Sequence, residues 1–266
     1  GWPPIDAIDA SVRIEGTRLT VDAAGGRVHG VDIGRTRVEI ADLALEHPLL
    51  RIGGEAAGPL AGFLRYLNGS PVAARTGTIT NSIEASGDGR LALKIELPLG
   101  RPDDIRFTGE YTLSDAQLRI AGVPPLTRVN GKLSFSERDV RARDVAAEIL
   151  GGPAKLAFAS TEGQTRVTGS GTAGLDALQR EYGNAYLERV SVRIDWSINV
   201  NVLAPGTLAW AFESTMKGAA VDLPAPLGKG AGDEMPLRIE GRDEAGPPGT
   251  DLITASYGRV AQFVAL

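Results

Sequence analysis

Residues 190–202 read Val190-Ser191-Val192-Arg193-Ile194-Asp195-Trp196-Ser197-Ile198-Asn199-Val200-Asn201-Val202, an unbroken alternation of apolar and polar side chains. Successive side chains of a β-strand point to opposite faces, so the stretch predicts one strand with an oily face and a wet face. The same alternation returns at Leu91, Leu93, Ile95, Leu97 and Leu99, and again at Ile105, Phe107, Tyr111 and Leu113. Shorter examples are Val12/Ile14, Leu19/Val21, Val38/Ile40, Leu118/Ile120, Leu133/Phe135, Leu156/Phe158 and Leu237/Ile239. Nearly all lie between turn signals such as Glu15-Gly16, Gly25-Gly26, Gly34-Arg35, Ser114-Asp115 and Gly151-Gly152, which is the pattern of an antiparallel meander.

Composition points the same way. Hydrophobic residues make up 42% and charged residues 23% of the 266, enough apolar matter for a core and too much for a disordered chain. The 34 Gly and 16 Pro follow no collagen-like period, so turns are frequent. Lys and Arg number 28 against 33 Asp and Glu, a formal charge of −5, which disfavours nucleic acid as a partner through a broad basic face. No apolar run approaches the roughly 18 residues of a membrane helix. Cys is absent, which removes disulfides, thiolate metal sites and Cys nucleophiles but leaves the compartment open. The opening Gly1-Trp2-Pro3-Pro4 shows neither an initiator Met nor a signal-peptide pattern, as expected of an internal piece of something larger.

Helical spacing is scarce. Pro59 to Asn68 places Leu60, Phe63, Leu64 and Leu67 on one side, with Pro at the first turn and Asn68-Gly69 at the stop; Leu175 to Tyr182 is a second short stretch. Each follows a Gly-rich strand end, at 54–58 and 169–174, so that Leu60 aligns with Leu175 and Phe63 with Leu178. Upstream, Val12, Ile14, Leu19 and Val21 align with Leu133, Phe135, Val140 and Ala142. Either the chain holds two worn repeat units, about 1–120 and 121–266, or strand–turn–strand patterns merely resemble one another. Two helices of about ten residues cannot cover the oily face of so many strands. Either the sheet folds onto a second sheet as a sandwich, or it curls into a trough whose inner face meets an apolar ligand. Base rate favours the sandwich, while the length of the 190–202 alternation, about 40 Å when extended, favours the trough.

No constellation carries catalysis. Gly169-Ser170-Gly171-Thr172-Ala173-Gly174 is a literal G-x-G-x-x-G, and a dinucleotide fold would set it between a buried parallel strand and a helix, with Glu188 or Asp195 on the ribose. The flanking strands alternate instead of being apolar throughout, which favours a plain Gly-rich strand-to-helix turn. His29 and His47, the only histidines, lack a second His or a carboxylate at ligand spacing. Asp103-Asp104 and Asp233-Glu234 read as solvated turn residues, Gly228-Lys229-Gly230 lacks the Ser/Thr of a phosphate loop, and no G-x-S-x-G occurs. The chain is expected not to be an enzyme, and to need no cofactor and no metal.

The segment Glu213-Ser214-Thr215-Met216-Lys217-Gly218-Ala219-Ala220-Val221-Asp222-Leu223-Pro224-Ala225-Pro226-Leu227-Gly228-Lys229 resembles a signature of the YhdP-type proteins of the AsmA-like superfamily. Trp2-Pro3-Pro4-Ile5, the Gly-rich stretch at 54–64 with its Gly-Pro-Leu, Leu97-Pro98-Leu99 and Leu150-Gly151-Gly152-Pro153-Ala154 are similar to that family in the same order. The resemblance implies a mainly β fold, an antiparallel, curled, repeated and taco-like β-groove, here with the two short helices read above. It implies an internal segment, spanning 1–266, of a longer periplasmic protein anchored in the inner membrane of a Gram-negative envelope. The implied function is phospholipid transport between inner and outer membranes, with acyl chains, the flanking segments of the parent chain and the two membranes as partners. The alternative is a β-sandwich envelope scaffold or binding module with a closed core. The family supplies no catalytic residues, so groove residues follow from alternation alone: Val12, Ile14, Leu91, Leu93, Ile95, Phe107, Leu118, Leu133, Phe135, Val192, Ile194, Trp196 and Ile198. Strand content is expected to exceed helix content by more than about twofold. A far-ultraviolet circular dichroism spectrum checks this, and a helix-dominated spectrum would refute it.

Overall fold

The computed structural model describes residues 2–70, 80, 83–120, 123–161, 164–174, 193–203, 207–243 and 251–265. Alternation becomes strand almost everywhere. In order come β1 (Asp6–Glu15), β2 (Arg18–Val28), β3 (Val31–Ile40) and β4 (Leu49–Pro59), then the helix α1 (Leu60–Asn68). β5 (Ile83–Pro98), β6 (Arg106–Ile120) and β7 (Val123–Ser136) follow, with a 3-10 turn at Pro102–Asp104. The remainder is β8 (Asp139–Ile149), β9 (Gly152–Thr161), β10 (Gln164–Gly174), β11 (Arg193–Leu203), β12 (Thr207–Ser214), β13 (Leu237–Asp243), β14 (Asp251–Tyr257) and β15 (Ala261–Ala265). All fifteen strands belong to one sheet in chain order, with β1 and β15 at its two edges. No helix among the described residues is long and apolar enough to cross a membrane.

The fold is thus mainly β and antiparallel, as the alternation predicts. The helix expected at Leu175 to Tyr182 lies outside the described residues, as do Val190 and Val192 of the decisive stretch. Two expectations are corrected. Gly25-Gly26, Gly34-Arg35 and Ser114-Asp115 do not turn the chain but lie inside β2, β3 and β6, each beside a register shift. Gly169 to Gly174 is not a turn but the second half of β10, paired on both sides: Gly169 faces Leu156 and Ile198, and Gly171 faces Ala154 and Trp196. Its backbone N–H groups belong to a strand hydrogen-bonded to two neighbours and do not form the open cradle that a pyrophosphate requires.

The chain packs as two compact units, one of Gly1–Val123 with Thr127–Val140 and one of Pro124–Leu126 with Arg141–Leu266. In the first unit several buried residues gather toward α1, while Ile40 is buried at the other end of β3. Pro59 precedes the helix in an extended conformation, and Leu60, Phe63, Leu64 and Leu67 recur at helical spacing. The helix ends with the Gly69 N–H bonded to the Arg65 carbonyl and the Ser70 N–H bonded to the Leu67 carbonyl. It approaches the β2–β3 turn so closely that a Cβ at Gly62 would lie 2.6 Å from the His29 carbonyl oxygen. Phe63 and Tyr111 of β6 meet in a T-shaped pair, with ring centroids 5.0 Å apart. Val28, Val31, Leu60, Leu113, Ala116 and Val129 are all buried. Ile14, on the edge strand β1, is 65% exposed.

This distribution fixes an expected contrast. Leu113→Ala removes packed atoms from the buried end and should cost about 2–5 kcal/mol. Ile14→Ala, on the open edge, should stay within about 0.5 kcal/mol. Urea midpoints of the two variants check the assignment, and equal losses would refute it.

Candidate functional site: an uncovered apolar sheet face

Directly paired residues in an antiparallel sheet project to the same face, so the register defines rows that cross the strands. In the first unit one row runs Ile14, Leu19, Ile40, Leu50 and Leu97. The next runs Val12, Val21, Val38, Ile52, Ile95 and Phe107. Phe107 is followed by Phe135 of β7, with ring centroids 6.3 Å apart. Further toward α1 lie Ile33, Ala56, Leu91 and Tyr111. Along Leu91 to Leu97 the apolar residues are half-buried and the residues between them exposed. A face sealed by a second layer would hide its large side chains, whereas here, among the described residues, those of these rows stay part-accessible with the exception of Ile40.

The second unit repeats this chemistry on its own strands. Leu156, Gly169, Ile198, Phe212, Ile239, Ala255 and Phe263 form one row. Phe158, Val167, Val200, Trp210, Gly241 and Ile253 form the next. A concavity of about 1020 Å³ crosses β8 to β13, lined among others by Ala147, Ala154, Gly171, Trp196, Ser214 and Leu237.

The opposite face carries charge in cross-strand pairs. Arg18 meets Glu39 at 3.4 Å, Arg37 meets Asp22 at 3.6 Å, Arg51 meets Glu96 at 3.3 Å and Lys132 meets Glu110 at 2.8 Å. In the second unit Arg238 bridges Glu213 and Glu240. Glu137 accepts the Phe107 N–H at 3.3 Å, and backbone N–H groups hold its carboxyl below the usual range.

Of the residues assigned by alternation, the register sets Val12, Ile14, Leu91, Leu93, Ile95 and Phe107 on the same face. Leu118 pairs with Ala85 beyond a bulge at Ser86/Asp88, and Leu133 stands two positions before Phe135 on β7. Ile198 is half-buried, whereas Ile194 and Trp196 are buried, at 6% and 8% exposure. Val192 lies outside the described residues. Alternation missed Trp210 and Phe212 because the intervening positions are Ala209 and Ala211, which carry no polar signal. It missed Ile52 because Gly54, Ala56 and Gly58 dilute the oily side of β4.

Residues weighed for other chemistry are otherwise engaged. Lys229 donates its ammonium to the carbonyls of Ala219, Gly230 and Asp233, which ties down the loop between β12 and β13. Asp233 caps the Gly230 N–H, and Glu234 pairs with Lys217 at 3.0 Å. Asp103 and Asp104 sit exposed in the 3-10 turn. Among the described residues no group of three His, Cys, Asp or Glu gathers as a metal site.

Polar atoms do occur on the oily face. Tyr111 Oη, Trp196 Nε1 and Tyr257 Oη are buried without a hydrogen-bond partner among the described residues. Burial, with the Asp88 carboxylate adding to it, pushes the Tyr111 phenol well above its ordinary value. A raised folded-state value means that the stability from a protonated Tyr111 is complete below about pH 10 and is lost as pH rises further. Tyr111→Phe should therefore lose less stability than the parent between about pH 9.5 and pH 11.5. Urea midpoints across that range test this, and parallel losses would refute it.

The model of one protein family, described as YhdP protein, matches residues 1–266. No curated protein and no solved structure matches the chain.

Proposed function

The chain belongs to the YhdP protein family, and on that premise we propose that its uncovered apolar face is a stretch of hydrophobic track for phospholipid acyl chains. The track serves transport between the inner and outer membranes of a Gram-negative envelope. The observation that supports it is the row from Val12 through Val21, Val38, Ile52 and Ile95 to Phe107, six strands wide and apolar at every position. Alkyl chains laid along such a row remove apolar surface from water at about 25 cal/mol per Å². No position along the row supplies a hydrogen bond that would hold a passenger in place, so the chemistry suits sliding over tight capture.

The working surface is periplasmic in this reading. Headgroups stay in water at the mouth of the track, while the charged opposite face is wetted by the periplasm. The partners are the acyl chains, the flanking segments of a longer parent protein, and the two membranes reached through parts of that parent. The protein acts as a passive conduit and not as an enzyme.

The test uses lipid uptake by the purified chain from dioleoylphosphatidylcholine vesicles, followed by extraction and counting of bound lipid. Leu93→Asp sets a carboxylate on the track, which must stay charged against alkyl chains or be neutralised at a cost. It should lower the bound lipid by more than about threefold. Lys94→Asp, one residue away on the wet face, should leave uptake unchanged. Absence of lipid on the parent chain, or equal effects of the two variants, would refute the reading.

A further inference from the structure

Glycine inside a strand costs roughly 0.5–1 kcal/mol relative to alanine and contributes no side chain to packing. Among the glycines of the oily face, four nevertheless each stand next to an aromatic ring from the adjacent strand. In the first unit a Cβ at Gly109 would lie 2.3 Å from Cζ of Phe135, and one at Gly89 would lie 2.0 Å from Oη of Tyr111. In the second unit a Cβ at Gly241 would lie 2.3 Å from Nε1 of Trp210, and one at Gly169 would lie 3.2 Å from Cζ3 of Trp196. None of the four has a positive φ, so backbone conformation does not demand glycine. At Gly109, Gly89 and Gly241 the ring occupies the space where a side chain would be, and at Gly169 the ring shares it with Leu156 and Ile198.

We propose that Gly109 and Gly241, joined by Gly89 and Gly169, set the free depth of the lipid track by letting aromatic rings lie down along the sheet. This rests on the acyl-chain reading above and adds to it the residues that decide which chains fit. A ring lying on the backbone rises about one van der Waals contact, 3.5–4 Å, above it. A raised ring projects its long axis into the space that an alkyl chain must cross. At Gly109 and Gly241 the atom that a new methyl would meet belongs to a ring that can rotate, not to backbone. The sheet itself cannot yield so easily, because Gly241 is paired on both sides, with Trp210 and with Ile253. The methyl therefore lifts the ring and leaves the strand in place. Bulky chains should feel the loss of depth before slender ones do.

The experiment loads the 266-residue chain from vesicles of equimolar dioleoyl- and diphytanoylphosphatidylcholine and counts both lipids after extraction. Diphytanoyl chains carry methyl branches along their length and need the deeper track. Gly241→Ala should lower the ratio of bound diphytanoyl to dioleoyl lipid by about threefold or more. Adding Trp210→Leu to it should restore the ratio, because leucine has no ring to lift. Gly109→Ala, alone and with Phe135→Leu, provides the same comparison in the first unit, with circular dichroism reporting folding of every variant. An unchanged ratio in the folded alanine variants, or a lowered ratio that leucine fails to restore, overturns the proposal. Uptake of neither lipid by the parent chain instead overturns the acyl-chain reading, and this proposal with it.

Discussion

Each strand between β1 and β15 is hydrogen-bonded to the strand before it and the strand after it, and that strictly local pairing is the condition on which everything else depends. The ladders satisfy backbone donors and acceptors within the sheet itself, so no second layer is needed for that purpose. An apolar face can then remain part-accessible without leaving the backbone unpaired. Because neighbouring strands are also sequence neighbours, few pairings require distant parts of the chain to meet, which keeps the entropy of loop closure low for so wide a sheet.

Burial is uneven for an equally physical reason. Gly58 and Gly87 take positive φ, as does Asp115 without the freedom of glycine, all at the α1 end of the first unit. The two residues Asp115 and Ala116 oppose Gly87 alone, an extra residue on β6 that bends the sheet locally. A non-glycine residue in that conformation costs about 1–3 kcal/mol. The adjacent packing offsets it, since Ala116 is fully buried and Leu113 nearly so. Stability is thus gathered at the bend and under α1, while the row through Val12 stays open and the row through Ile14 is closed only at Ile40.

The fold class was legible because period 2 is a direct consequence of strand geometry, and Leu91 to Leu97 or Ile194 to Val202 show it without interruption. So was α1, whose Leu60, Phe63, Leu64 and Leu67 lie at the period of a helix. The sequence misled where composition imitates another structure. The glycines of 169–174 look like a turn, yet Gly169 is there because Leu156, Ile198 and Trp196 crowd the space above it. It was silent where alanine or glycine stands in for a polar partner, as at Ala209, Ala211 and Gly54. Nor does alternation give depth, since Leu93 and Ile194 have the same pattern around them but only Ile194 is buried. Depth depends on what packs over a residue, which is a tertiary fact.

The charged face completes the argument about specification. Exposed ion pairs such as Arg18 with Glu39 and Arg51 with Glu96 each contribute about 0–1 kcal/mol, too little to hold a sheet together. Their weight lies in register. A one-residue slip of β4 against β5 would move Arg51 from water onto the face occupied by Ile95, at the cost of burying unpaired charge among apolar rows. A two-residue slip would keep the faces but separate Arg51 from Glu96 and set the Gly54 and Leu93 pair out of step. In a closed core, side-chain interlocking would forbid such slips. An uncovered face has less interlocking to offer, so alternating charge on one side and ring-on-glycine fits on the other take over part of that task.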